Sequence, residues 1–153
     1  MTRLEAWIVH ISTILVGVSG LIYGVMRYLM NPVNSFSVVN HPWQPSIQHF
    51  HVLVAPAIVF AFGLIWKHHV YDNYKKKRAS GRRSGISMIL TMVPMILSGY
   101  LIQVSVIEFW RNFWIVIHCV TSMLWLTGYL SHQIIDFRRK GIIPTRKKHL
   151  SAQ

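Results

Sequence analysis

The stretch NFWIVIHCVTSMLWLTGYLSHQIID, from Asn112 to Asp136, constrains the chain more than any other. At a rise of about 1.5 Å per residue it is long and apolar enough to cross a hydrocarbon layer of about 30 Å as a helix. Yet it carries two imidazoles, His118 and His132. A polar ring in hydrocarbon is costly unless something binds it, so the pair calls for a partner. Three more segments have the necessary length and apolarity. The spacing predicts spans over residues 7–29, 47–69, 86–107 and 113–135, with bends at Pro56 and Pro94.

Composition agrees with a membrane chain. Apolar residues make up 52% and charged residues only 13%, a balance that soluble domains rarely show. The net charge of +12 would suit nucleic acid if it covered a soluble face. Instead it sits in two blocks beside apolar runs, KKKRASGRR (Lys75 to Arg83) and FRRKGIIPTRKKH (Phe137 to His149). No nucleic-acid partner is expected. Between the first two spans, NPVNSFSVVNHPWQPS contains neither Lys nor Arg, whereas the middle loop and the tail are basic. The positive-inside rule then puts both termini and the middle loop in the cytoplasm. The first span reads as retained, because its flank RYLMNPV lacks a small-residue cleavage pattern. The expected architecture is an all-α membrane protein: one four-transmembrane-helix bundle over residues 1–153 with a basic cytoplasmic tail from 137. Its expected place is the inner (cytoplasmic) cell membrane, crossed several times. The single Cys119 excludes an internal disulfide, and the absence of CxxCH excludes covalent c-type haem attachment.

His118 and His132 lie fourteen residues apart, a rotation that returns to within about 40° after an advance of about 21 Å. They share one helix face at two depths. With the fourth span running inward, His10 near the start of span one lies level with His132. His51, near the outer start of span two, lies level with His118. Two imidazole pairs at two heights are what a bundle needs to hold two bis-histidine haems. His49 competes with His51 but points about 200° away and lies shallower. His69, eighteen residues or a whole number of turns from His51, shares its face. It could replace His10 or His132 or serve a third haem, although an interfacial role beside His68 and Lys67 suffices. Arg27, near the outer end of span one, either snorkels to the headgroups or pairs with propionates of the outer haem.

This arrangement resembles the bacterial cytochrome b561 family. One His lies early in span one and one early in span two; none lies in span three, and two lie fourteen residues apart in span four. It is similar as well to the small b-type cytochrome subunits of membrane-bound hydrogenases and formate dehydrogenases. The spacing from His10 to Gly20 fits the pattern, while Ile11 stands where an aromatic often follows the first ligand. The resemblance implies two non-covalent haem b groups, His10 paired with His132 and His51 with His118, and electron exchange with quinone or a redox subunit. Such a subunit would be a c-type cytochrome, an iron–sulfur protein or a dehydrogenase, with membrane lipid around the chain. Whether it would be a passive electron-transfer subunit or a quinone-linked oxidoreductase stays open.

Two other classes remain: a His- and Met-lined transition-metal transporter, and a cofactor-free assembly protein whose histidines bridge helices. Thr13, Thr121, Ser122, Ser131 and backbone carbonyls are candidates to accept the other N–H of each imidazole. Spans one and three also share a Ser-Gly pattern (Ser19-Gly20-Leu21-Ile22 and Ser98-Gly99-Tyr100-Leu101-Ile102). The histidines do not repeat with it in sequence, so the pattern alone does not establish internal duplication.

Overall fold

A computed structural model describes residues 2–32, 34, 36–75 and 82–139. They are almost wholly helical, with no strand among the described residues. The elements are α1 (Arg3–Tyr28), α2 (Gln44–Ile65), a π-helical segment (Trp66–Tyr71), the short α3 (Asp72–Lys75), α4 (Arg82–Val104) and α5 (Glu108–Arg139). Four of these, α1, α2, α4 and α5, are long and apolar enough to cross a membrane. That is the signature of a multi-pass membrane protein.

Each helix starts where backbone chemistry allows, several residues outside the apolar stretch it contains. At the start of α1 the Thr2 hydroxyl accepts from the Glu5 N–H at 3.2 Å, and the Glu5 carboxylate accepts from the Thr2 N–H at 2.8 Å. This reciprocal box satisfies two donors that a helix start otherwise leaves unpaired. Pro45 occupies the first turn of α2, where a missing N–H costs nothing. Glu108 opens α5 with a negative charge at the positive end of the helix dipole. Helix α5 therefore begins five residues before the predicted span, and only residues 105–107 connect it to α4. Both Pro56 and Pro94 lie inside helices that continue past them.

The chain divides into two compact units, Met1–Asp72 and Asn73–Gln153. In the first, α1 packs on α2; in the second, α4 packs on α5. Each unit is a helical hairpin. Small polar side chains share the buried faces of these helices with apolar ones such as Ile58, Ala61, Met92 and Met95. Ser12, Thr13, Ser19 and Ser98 are buried, while Leu53, Phe60, Leu90, Leu97 and Leu124 are exposed. Small polar residues let helix backbones approach, and apolar residues turn outward, as lipid requires. Most of the basic middle loop (residues 76–81) and the tail from residue 140, with His149, lie outside the described residues.

Candidate functional site

In the first hairpin, α2 carries His51 against the middle of α1. The His51 ring is half-buried, and its Nδ1 lies 3.1 Å from the Val16 carbonyl oxygen and 3.1 Å from the Ser19 Oγ. Beneath the ring is Gly20: a Cβ placed there would lie 2.9 Å from the His51 Cε1. The imidazole edge fits a notch that only a glycine leaves.

The second hairpin repeats this seat. His118 of α5 is half-buried against α4, its Nδ1 2.9 Å from the Met95 carbonyl and 3.4 Å from the Ser98 Oγ. A Cβ on Gly99 would meet the His118 Cε1 at 3.2 Å. In both hairpins the accepting carbonyl is three residues before the serine, and the glycine is the residue after it. The histidines do therefore repeat with the Ser-Gly pattern, contrary to the sequence expectation. Linear spacing hid the repeat: the loop between α1 and α2 is long, so Ser19 and His51 are 32 residues apart against 20 for Ser98 and His118.

A carbonyl oxygen can only accept. Each Nδ1 therefore carries hydrogen, and the lone pair of the neutral ring is on Nε2. This is the tautomer that suits a metal ligand whose other nitrogen is anchored.

Known protein families, curated proteins and solved structures offer no match to this chain. The site's chemistry therefore has to be argued from its own residues.

The other expected residues fall as follows. His10 of α1 and His132 of α5 are half-buried; His132 is fourteen residues beyond the seated His118, on its face. His49 is exposed, so α2 seats His51 and leaves His49 outside the clip. The same-face relation expected between His51 and His69 does not carry through. His69 belongs to the π-helical segment, whose wider i→i+5 turns break the 3.6-residue register that the eighteen-residue spacing assumed. Arg27 is exposed in the last turn of α1, where its carbonyl accepts from the Asn40 side-chain amide at 2.8 Å. That contact, with Asn40 N–H to the buried Gln44 at 3.1 Å, ties the loop between α1 and α2 to both helix ends.

For His51 and His118 the acceptors differ in part from the sequence candidates. Backbone carbonyls serve, as expected, but the accompanying hydroxyls are Ser19 and Ser98. Thr121 turns back onto its own helix, 2.7 Å from the Ile117 carbonyl. The shared Ser-Gly pattern is the sequence signal that could have found them.

Two buried polar atoms have no hydrogen-bond partner among the described residues: the Thr13 Oγ1 and the Trp125 Nε1. Such orphans cost about 1–3 kcal/mol each. Thr13 is one turn beyond His10. Trp125, stacked on Tyr129 with ring centroids 5.7 Å apart, lies midway between His118 and His132 on their shared face. Both orphans thus adjoin a histidine face. Among the described residues no three His, Cys, Asp or Glu side chains converge, so side chains alone make no metal cage there.

Proposed function

We propose that the chain is a di-haem b-type cytochrome, a four-helix bundle of the inner cell membrane with both termini cytoplasmic. It would carry electrons between a quinone pool and a redox partner within a larger respiratory complex. The observation that carries this reading is the paired seat: two imidazoles in apolar helices, each with its Nδ1 held by a main-chain carbonyl of the neighbouring helix.

The donor set fits the group. A bis-histidine haem takes two neutral imidazoles, and the macrocycle fills the remaining iron positions. Gly24 and Gly63 have nothing within 4 Å of a would-be Cβ, which leaves flat, uncovered backbone of the kind a planar ring can approach. When bound, haem supplies one-electron chemistry that no side chain here provides.

His51 and His118 would hold the outer haem, and His10 and His132 the inner one. The exposed leucines and phenylalanines keep water from the interior and hold the chain in lipid. Arg27 either meets lipid headgroups or pairs with outer-haem propionates. The partner would be a c-type cytochrome, an iron–sulfur protein or a dehydrogenase.

An absorption spectrum of the detergent-purified full chain tests this reading. A sharp Soret band with a distinct α-band on reduction, of low-spin six-coordinate type, is expected. A folded, colourless preparation contradicts it, and returns the chain to the metal-transporter or assembly-protein classes. Reduction of the purified chain by quinol alone would make it a quinone-linked oxidoreductase. Failure of quinol alone, with reduction by a partner subunit, would make it a conduit.

A further inference from the structure

We infer that Ser19 with Gly20, and Ser98 with Gly99, are positioning residues: a clip, built twice, that sets the tautomer and ring plane of His51 and His118. The inference rests on the haem reading only for its consequence at the iron, since the clip itself is a property of the polypeptide.

The serine's role follows from where its hydrogen goes. The Ser19 hydroxyl lies 2.6 Å from the Leu15 carbonyl and 3.2 Å from that of Val16. The Ser98 hydroxyl lies 2.6 Å from the Pro94 carbonyl and 3.0 Å from that of Met95. A hydroxyl has one hydrogen, and here it is directed back onto the helix's own backbone. What each Oγ turns towards the imidazole is a lone pair. The Nδ1–H is then shared between two acceptors, the serine Oγ and the carbonyl three residues earlier. Neither can donate to Nδ1, so the alternative tautomer has no support on that side of the ring.

The glycine sets the ring's height. At 2.9 Å from a would-be Cβ, the His51 Cε1 is closer than any methyl tolerates, and at 3.2 Å His118 is nearly so. The ring cannot slide away without breaking its Nδ1 contacts, since those contacts and the notch lie on the same short stretch of helix. Serine, glycine and carbonyl act together, and their recurrence on two helices of otherwise different sequence argues for a shared task.

At a bound iron, two acceptors on the Nδ1–H make the imidazole a stronger donor through Nε2 and favour the oxidised metal. Removing one acceptor should therefore raise the midpoint potential of the haem that His51 and His118 hold.

The test uses the full chain in detergent, labelled with nitrogen-15 at histidine and reduced so that a low-spin haem is diamagnetic. Signals of His51 and His118 are assigned with His51→Gln and His118→Gln. Both rings should show a hydrogen-bearing Nδ1 and a bare Nε2. Ser19→Ala should shift the Nδ1–H signal of His51 alone, and Ser19→Thr, which keeps the Oγ, should restore it. Gly20→Ala should displace the His51 signal, while Gly85→Ala, where a Cβ meets nothing within 4 Å, should leave both rings as they are. If Gly20→Ala does not assemble, the Ser19 pair decides. An Nε2–H tautomer, or a Ser19→Ala spectrum identical to the parent, overturns the clip. A colourless preparation that keeps both Nδ1–H signals would overturn the haem reading and leave the clip standing.

Discussion

The two hairpins share one device and differ in what surrounds it. Each lays a histidine of its second helix into a Ser-Gly notch on its first. Measured from that seat, the remaining histidines do not repeat. Nine residues before the serine, α1 has His10 and α4 has Ile89; fourteen residues after the seated histidine, α5 has His132 and α2 has the buried Ile65. The two further ligands of the proposed assignment, His10 in α1 and His132 in α5, thus fall on opposite members of their hairpins. The seated histidines follow from duplicated geometry; the others are individual additions. On the proposed assignment the outer haem is held by equivalent ligands and the inner haem by inequivalent ones.

The strongest way to break this comparison is to remove the ligands in their proposed pairs. His51→Ala and His118→Ala should each cost one haem of two, and the double variant should cost no more than either single. His10→Ala and His132→Ala should together cost the other one. Haem content and the reduced α-band read the result, and loss of both haems from a single change would redraw the pairing.

A smaller effect sharpens the difference between the notches. Gly20→Ala should lower haem retention more than Gly99→Ala, because the first Cβ meets its ring at 2.9 Å and the second at 3.2 Å. Gly128→Ala should be milder again, since its Cβ meets the flexible Met88 Cγ at 3.1 Å. Haem loss to an acceptor protein ranks the three.

Smaller still are the hydroxyls. Ser19 is 3.1 Å from its histidine and Ser98 is 3.4 Å from its own, so Ser19→Ala should perturb more than Ser98→Ala. Neither should exceed about 1 kcal/mol in thermal stability, the net worth of one such hydrogen bond. Differential scanning of the two variants side by side checks the order.

Much of this was legible in the sequence. The four long helices followed from apolar runs, because lipid demands length and hydrophobicity in one uninterrupted stretch. Their ends were less legible, since Thr2, Pro45 and Glu108 start helices through backbone chemistry that hydropathy does not register. His51 was preferred over His49 on depth, and the structure seats the former and exposes the latter. The His69 register was misjudged because a π-helical turn leaves no periodic signature. The clip stayed hidden because its parts come from different helices joined by loops of unequal length. Only packing brings Ser19 to His51.

The most direct test of the central claim is haem quantification by pyridine haemochrome on the purified full chain. The account predicts two haem b per polypeptide. A folded chain with no haem, or with one that survives loss of both His51 and His118 and of both His10 and His132, would contradict it.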